Sequence, residues 1–315
     1  MRRVYPLRYA VLLLTSISIS NCQVATGQEV TTVDPDSKQF KSYWYAGEAE
    51  LNRYKLDQAR YGEVHQGEAV LIFVTEEFRS DRQVKYEGGD RKNVVPILKM
   101  NATRKFYTGL YPYSIMSSVF TPTDPAQQTL KTTTSSQEWC GHTFSQLNLR
   151  KNKYQVQVNS YFQSEGDREL QLPKAMLEDE LWTKIRLQPA SLPTGKVQMI
   201  PGEVFLRLRH LEHALHDAEA TMTVTEDESL SDQLLQTYSV RYPELGRSLS
   251  ITFESAFPHG IVAWEEETIS GLGANATTLR TRAIRTHLMK SAYWGKNGTD
   301  DAYLREELGL GSGLE

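Results

Sequence analysis

Cysteine is almost missing from this chain. Its 315 residues include two, Cys22 and Cys140. If Cys22 is modified, no internal disulfide can form, and stability has to come from a packed core. Long hydrophobic runs are scarce too. The apolar stretch from Tyr9 to Ile19 is too short to span a bilayer, and no later segment approaches that length, so the body that follows is expected to be soluble. Charge of one sign is also lacking, with a net charge of −4 and no concentrated basic surface. That argues against a nucleic-acid partner. The GxSxG, HExxH and P-loop patterns are absent, as is the strand–helix–strand rhythm of a parallel nucleotide-binding sheet.

What is present starts at the N-terminus. Arg2, Arg3 and Arg8 precede the apolar run, which ends in Ile19-Ser20-Asn21-Cys22. A basic start, a short hydrophobic stretch and small residues before a cysteine read as a lipoprotein signal over 1–21. Cleavage before Cys22 and acylation of its thiol would tether the chain to a bilayer. Asn21 departs from the usual Gly, Ala or Ser. Residues 22–39 are polar, rich in Thr and Asp, and read as a flexible tether. Residues 40–315 read as a single β-rich domain, with two halves joined near 173–200 as a variant.

The texture of that body is strand-like. Ala69 to Thr75 is a continuous apolar run bounded by Gly67, as in a buried strand. Tyr154, Val156 and Val158 alternate with Gln155 and Gln157, as in a strand wet on one face. Further strands are expected at Tyr43–Asp57, Ile97–Phe106, Tyr113–Thr121, Thr129–Leu147, Gly202–Arg209, Ala218–Thr225, Thr237–Tyr242, Ser248–Ser255, Ile261–Ser270 and Leu279–Leu288. One amphipathic helix is expected after Pro173, with Leu177, Leu181 and Ile185 on its apolar stripe and Glu178, Asp179 and Glu180 on a solvated side. Pro189 ends it. A short terminal helix is expected over Asp300–Leu308, closed by Gly309. With 16 Tyr, 10 Phe and 5 Trp suited to β packing, the fold expected is mainly β. It is a large curved antiparallel sheet, an open barrel or clamshell.

Few residues suggest chemistry. On a strand, Glu138, Cys140 and His142 would point to one face, where acid, thiol and imidazole could begin a metal site or support a thiolate. The alternative is structural: a buried cysteine, a satisfied histidine and a core Trp139. His210, His213 and His216 are a weaker metal candidate. On a helix the outer two lie about 240° apart, and only a turn would gather them; a solvated loop is the plainer reading. The carboxylates Glu48 and Glu50, and Glu265, Glu266 and Glu267, read as solvated strand faces. Gly271 to Asn275 reads as a turn rather than a phosphate loop.

Five segments resemble a known group when taken together: Tyr43–Glu50, Gln58–Glu63, Gly109–Ser114, Gln137–His142 and Lys290–Lys296. The chain resembles a family of uncharacterised lipoproteins of Bacteroidota-type bacteria, commonly labelled "septum formation inhibitor Maf". Genuine Maf proteins are cytoplasmic nucleotide pyrophosphatases with an α/β fold and a Ser-x-Ser-Pro-Arg-Arg motif. No Ser-Pro-Arg occurs here. The resemblance therefore implies an address and transfers no catalytic residue.

The first expectation for function is an envelope lipoprotein whose curved sheet binds or carries an apolar ligand such as lipid. The alternative is a structural or protein-interaction lipoprotein with an envelope partner. An enzyme using Cys140 and His142 comes third. No cofactor is called for. The expected location is the bacterial cell envelope, anchored to the membrane by the N-terminal lipid and facing the periplasm.

Overall fold

The computed structural model describes Met1 and residues 33–270 and 277–311. Cys22, the signal segment, most of the tether and the Gly271–Asn275 turn lie outside the described residues. Among the described residues no helix is long and apolar enough to cross a membrane.

The chain builds one open, strongly curved sheet of 16 strands, largely antiparallel. Helix α1 (Lys38–Trp44) leads into β1 (Ala49–Arg60), β2 (Glu63–Arg79), the short β3 (Val84–Lys85), β4 (Val94–Thr108), β5 (Tyr111–Pro122), β6 (Lys131–Glu138), β7 (Gly141–Arg150), β8 (Lys153–Ser160) and β9 (Arg168–Pro173). Then come β10 (Met176–Leu177), α2 (Leu181–Leu187), β11 (Gly195–Ile200), α3 (Glu203–Arg209), β12 (His216–Thr225), β13 (Leu235–Tyr242), β14 (Arg247–Glu254), β15 (Ile261–Ser270), β16 (Thr277–Ser291) and α4 (Tyr303–Glu307). Strand β16 pairs with β1, so the first and last strands meet mid-sheet, and the outer strands are β9 and β10. These two edges are separated in sequence by Lys174 and Ala175 alone. No ladder joins them. Leu147, Tyr154, Val156, Val158 and Leu172 on one side pack with Leu177 and Ile200 on the other. The sheet is barrel-like, with a seam of side chains.

Alternation decides what faces the lumen. On β1 the inward residues are Glu50, Asn52, Tyr54, Leu56 and Gln58, all buried. Across the sheet they meet Phe73, Leu71 and Ala69 of β2. Strands β5 to β7 instead present Ser117, Thr132, Thr134, Ser136 and Thr143 inward. Hydroxyl pairs satisfy part of this wall: Ser117 with Thr134 at 2.8 Å, and Thr121 with Thr129 at 2.7 Å and with Thr183 at 2.6 Å.

The lumen is filled. Every residue of α2 is buried, and Leu181, Trp182 and Ile185 join Tyr54, Phe73, Tyr238, Ile251 and Trp264 in one core. This corrects the expected amphipathic helix. Residues 168–173 form an edge strand, and Pro173 ends that strand instead of starting a helix. Glu178 and Glu180 are buried, not solvated. The sheet surrounds the segment, so it has no wet side. The aromatic residues of the concave face therefore pack on a helix instead of lining an open cavity.

Three expected strands also differ. Tyr43 and Trp44 belong to α1 and the strand starts only at Ala49, Gly202 is the N-cap of helix α3, and Thr129–Leu147 holds the β6–β7 hairpin. Gly67 is not a strand boundary but lies inside β2. The terminal helix is present as a 3-10 turn followed by α4, with Gly309 at φ 71°.

Candidate functional site

Cys140 and Trp139 form the tip of a two-residue hairpin in which Glu138 pairs with Gly141 and Gln137 with His142. His142 therefore lies on the face opposite Glu138, and the one-face arrangement of Glu138, Cys140 and His142 is corrected. The structural alternative fails as well, because both Cys140 and Trp139 are exposed. Glu138 accepts a hydrogen bond from the Cys140 backbone N–H at 2.6 Å. Its hydrogen bond with the thiol and its negative charge push the thiol pKa up. A nucleophilic thiolate needs the reverse.

The histidines scatter. His210 caps α3 in the left-handed region at φ 55° and sits 2.5 Å from Glu165. His213 contacts Glu203 at 2.9 Å, and His216 opens β12 and lies 3.8 Å from Glu244. Each ring has its own carboxylate. Among the described residues no group of three or more His, Cys, Asp or Glu could hold a metal, so the triplet is corrected as a metal site. Burial opposes a charged His213, but the Glu203 carboxylate outweighs it and raises the pKa.

Sequence reasoning missed the interior charges. Glu50 and Arg186 form a fully buried bidentate pair at 2.5 and 2.7 Å. Asn52 donates to the same carboxylate at 2.7 Å, and Tyr43 donates to it as well. Burial disfavours the Glu50 charge, yet Arg186 prevails and brings the pKa to about 2. Higher in the lumen, Arg247 bridges Glu178 and Glu266, and Arg104 holds Glu266 at 2.8 Å. Glu50 and Glu266 are thus not solvated, although Glu265 and Glu267 do meet Arg280 on the outer surface. Asp179 borders a cavity of about 30 Å³ beside Arg104, Trp182 and Trp264. Burial, with Glu203 and Glu178 nearby, pushes its pKa up to about 8. It accepts the Glu203 backbone N–H at 3.1 Å.

One end of the barrel differs from the rest. In an antiparallel meander every second connection returns to the same end. The β1–β2, β4–β5, β6–β7 and β8–β9 connections therefore gather there. They carry Tyr61, Leu110, Trp139 and Tyr161, with Tyr107 beside them, and these five residues are 60–79% exposed. Tyr61 and Gly62 both have positive φ, 53° and 85°, as a tight hairpin turn of matching twist requires. Tyr111 stacks on Trp139 at an angle of 30° with centroids 6.5 Å apart, and its hydroxyl reaches that of Tyr61 at 3.3 Å.

Helix α3 lies across this mouth. Leu208 packs with Phe106, Tyr113 and Ile115, and Arg60 of β1 donates to the Leu208 carbonyl. A crevice of about 340 Å³ opens between α3 and the β1–β15–β16 wall, lined by Arg60, Phe205, Leu208, Arg209 and Leu279 among others. A cavity of about 30 Å³ lies on the other side of α3, toward the Ser and Thr wall. The N-terminal segment enters at the opposite end, since α1 precedes β1 and β1 runs toward the mouth. There Phe40 and Trp44 join the core.

Comparison with known protein families and with curated proteins gives no match. Among solved structures the chain is similar to a protein described as "Beta-barrel-like Protein of Domain of Unknown Function DUF1849 from Brucella abortus". The identity is 8% and the TM-score 0.44, over 77% of this chain and 98% of that one.

Proposed function

We propose that this protein is a lipid-anchored binding module of the bacterial cell envelope, which takes an apolar ligand such as a lipid at the mouth of its barrel-like sheet. The observation that carries this reading is the row of exposed aromatic side chains along the mouth, which ends with Tyr61 at the wall of the crevice beside α3. Exposed aromatics gathered in one place mark binding surfaces, and ligand sites are found in the mouths of β-barrels. Acylation of Cys22 would fix the other end of the molecule to the bilayer. The mouth lies about one length of β1, roughly 35–40 Å, beyond the end where α1 enters, and the tether would set how far that end stands from the bilayer.

Two experiments test the two halves of the proposal. Cells fed an alkyne fatty acid should label the full chain, and Cys22→Ser should abolish the label. Equal labelling of both chains would refute the anchor. An apolar fluorophore should bind the purified protein and be displaced by envelope lipid extract, less tightly after Tyr61→Ala with Trp139→Ala. Binding untouched by these truncations would move the ligand away from the mouth.

A further inference from the structure

The crevice beside α3 carries a charge pattern that narrows the ligand. Ion pairing is the rule inside this barrel: Arg104, Arg186 and Arg247 each face a carboxylate. The two arginines at the crevice do not follow it. Arg60 donates to the Leu208 carbonyl and, at 3.2 and 3.3 Å, to the hydroxyls of Tyr61 and Tyr113. Its guanidinium sits 4.1 Å from the Tyr61 ring centroid. Arg209 is exposed and reaches one carbonyl, that of Ile269, at 3.4 Å. Among the described residues neither guanidinium has a carboxylate partner. Glu266 also lines the crevice, but Arg104 and Arg247 neutralise it from below. The entrance is therefore positive, while Ala59, Phe205, Leu208 and Leu279 supply apolar wall.

We infer that this crevice binds an amphiphile with one anionic head group and one alkyl chain. The carboxylate or phosphate lies between Arg60 and Arg209, and the chain runs along Phe205, Leu208 and Leu279. Guanidinium forks suit both head groups. The volume, about 340 Å³, is at the lower end of the ligand-pocket range of roughly 300–1,000 Å³. That suits one chain rather than two. The inference rests on the reading that the mouth is the ligand site, and it adds the sign of the head group.

The test is photolabelling of the full chain with diazirine-decanoate, read by peptide mass spectrometry. Label is expected on the peptides containing Phe205–Leu208 and Leu279. Decyl phosphate should compete, while decyltrimethylammonium and inorganic phosphate should not. Arg209→Gln should weaken the competition by decyl phosphate by about tenfold, as expected for one charge-assisted contact. Decanol competition should not change. Because Arg60 also holds α3, Arg60→Lys serves beside Arg60→Gln, keeping the charge while losing the fork. Competition by inorganic phosphate alone would identify an anion site without a tail. Equal competition by the cationic and anionic chains would overturn the head-group assignment and leave the mouth as an apolar site. Label confined to other peptides would overturn the mouth itself.

Discussion

Arg186 is fully buried, and its guanidinium depends on Glu50, Trp44, Phe73 and the Pro258 carbonyl. A buried ion pair is costly to form, but losing one partner strands the other charge. Glu50→Gln should therefore destabilise the protein by about 3–5 kcal/mol in urea titration. Adding Arg186→Met should recover much of that loss, because no unpaired charge remains. The pH dependence follows from the lowered pKa of Glu50. Its contribution is fully present above the ordinary carboxylate range and is lost as pH falls toward about 2. Wild type and Glu50→Gln should converge in stability at acid pH. Asp179 has the opposite sign. Its pKa is raised to about 8, so between the ordinary aspartate range and pH 8 the unfolded chain ionises more readily than the folded one. Stability falls across that window as pH rises. Asp179→Asn removes the penalty and should raise the urea midpoint more at pH 8 than at pH 5; an equal gain at both would contradict the raised pKa.

Elements were legible where one periodicity dominated. Strand β8 reads directly from Tyr154, Val156 and Val158, and α4 from its Gly309 stop. Helix α3 was not legible, because Leu206-Arg207-Leu208-Arg209 alternates as a strand does. It is a helix because Phe205, Leu206 and Leu208 are all buried by the barrel around it. The same enclosure hid the wet-to-dry reversal at Glu178 and Glu180. For the candidate site the residues were visible but their gathering was not. Tyr61, Tyr111, Trp139 and Tyr161 lie far apart in sequence, and the meander alone brings them together. Glu50 and Arg186, 136 residues apart, left no local signal beyond the inward phase of β1. Gly67 shows how far sequence punctuation can mislead. It interrupts no strand; it leaves room for Phe106, opposite it on β4. A Cβ at Gly67 would collide with the Lys105 carbonyl and come within 2.8 Å of the Phe106 Cβ. Both obstacles sit on or next to backbone, so neither can swing aside. Gly67→Ala should cost at least about 1–3 kcal/mol, the usual penalty of overpacking. Amides of β2 and β4 should exchange faster, whereas Gly62→Ala, which meets open space but strains the β1–β2 turn at φ 85°, should loosen that turn and leave the β2–β4 ladder intact.

At the scale of the molecule the sheet is long enough to enclose its core but is not closed by hydrogen bonds. The chain leaves the edge strand β9, crosses two residues and starts the opposite edge at β10 before turning into the lumen as α2. That order makes the seam and the plug neighbours in sequence. The side chains that close the seam, Val156 and Leu172 against Leu177 and Ile200, stand at the entry to the plug. The opposite side, where β16, β1 and β2 pair, is hydrogen-bonded along the first and last long strands, with one register shift between Arg53 and Tyr54. Stability should then be uneven, with local opening starting where ladder bonds are missing. Val156→Asp puts an unpaired charge into the seam, and burying such a charge is unfavourable enough to force it open. Hydrogen exchange should rise first in β8–β11 and then in α2, while β16, β1 and β2 remain protected close to the wild-type level. A uniform loss of protection around the sheet would mean that the barrel opens as one unit and that the seam is not its weakest line. Under the seam reading, α2 is held by the sheet around it, and the sheet edges are held by the segment that leads into α2. Loosening either one should expose the same apolar lumen.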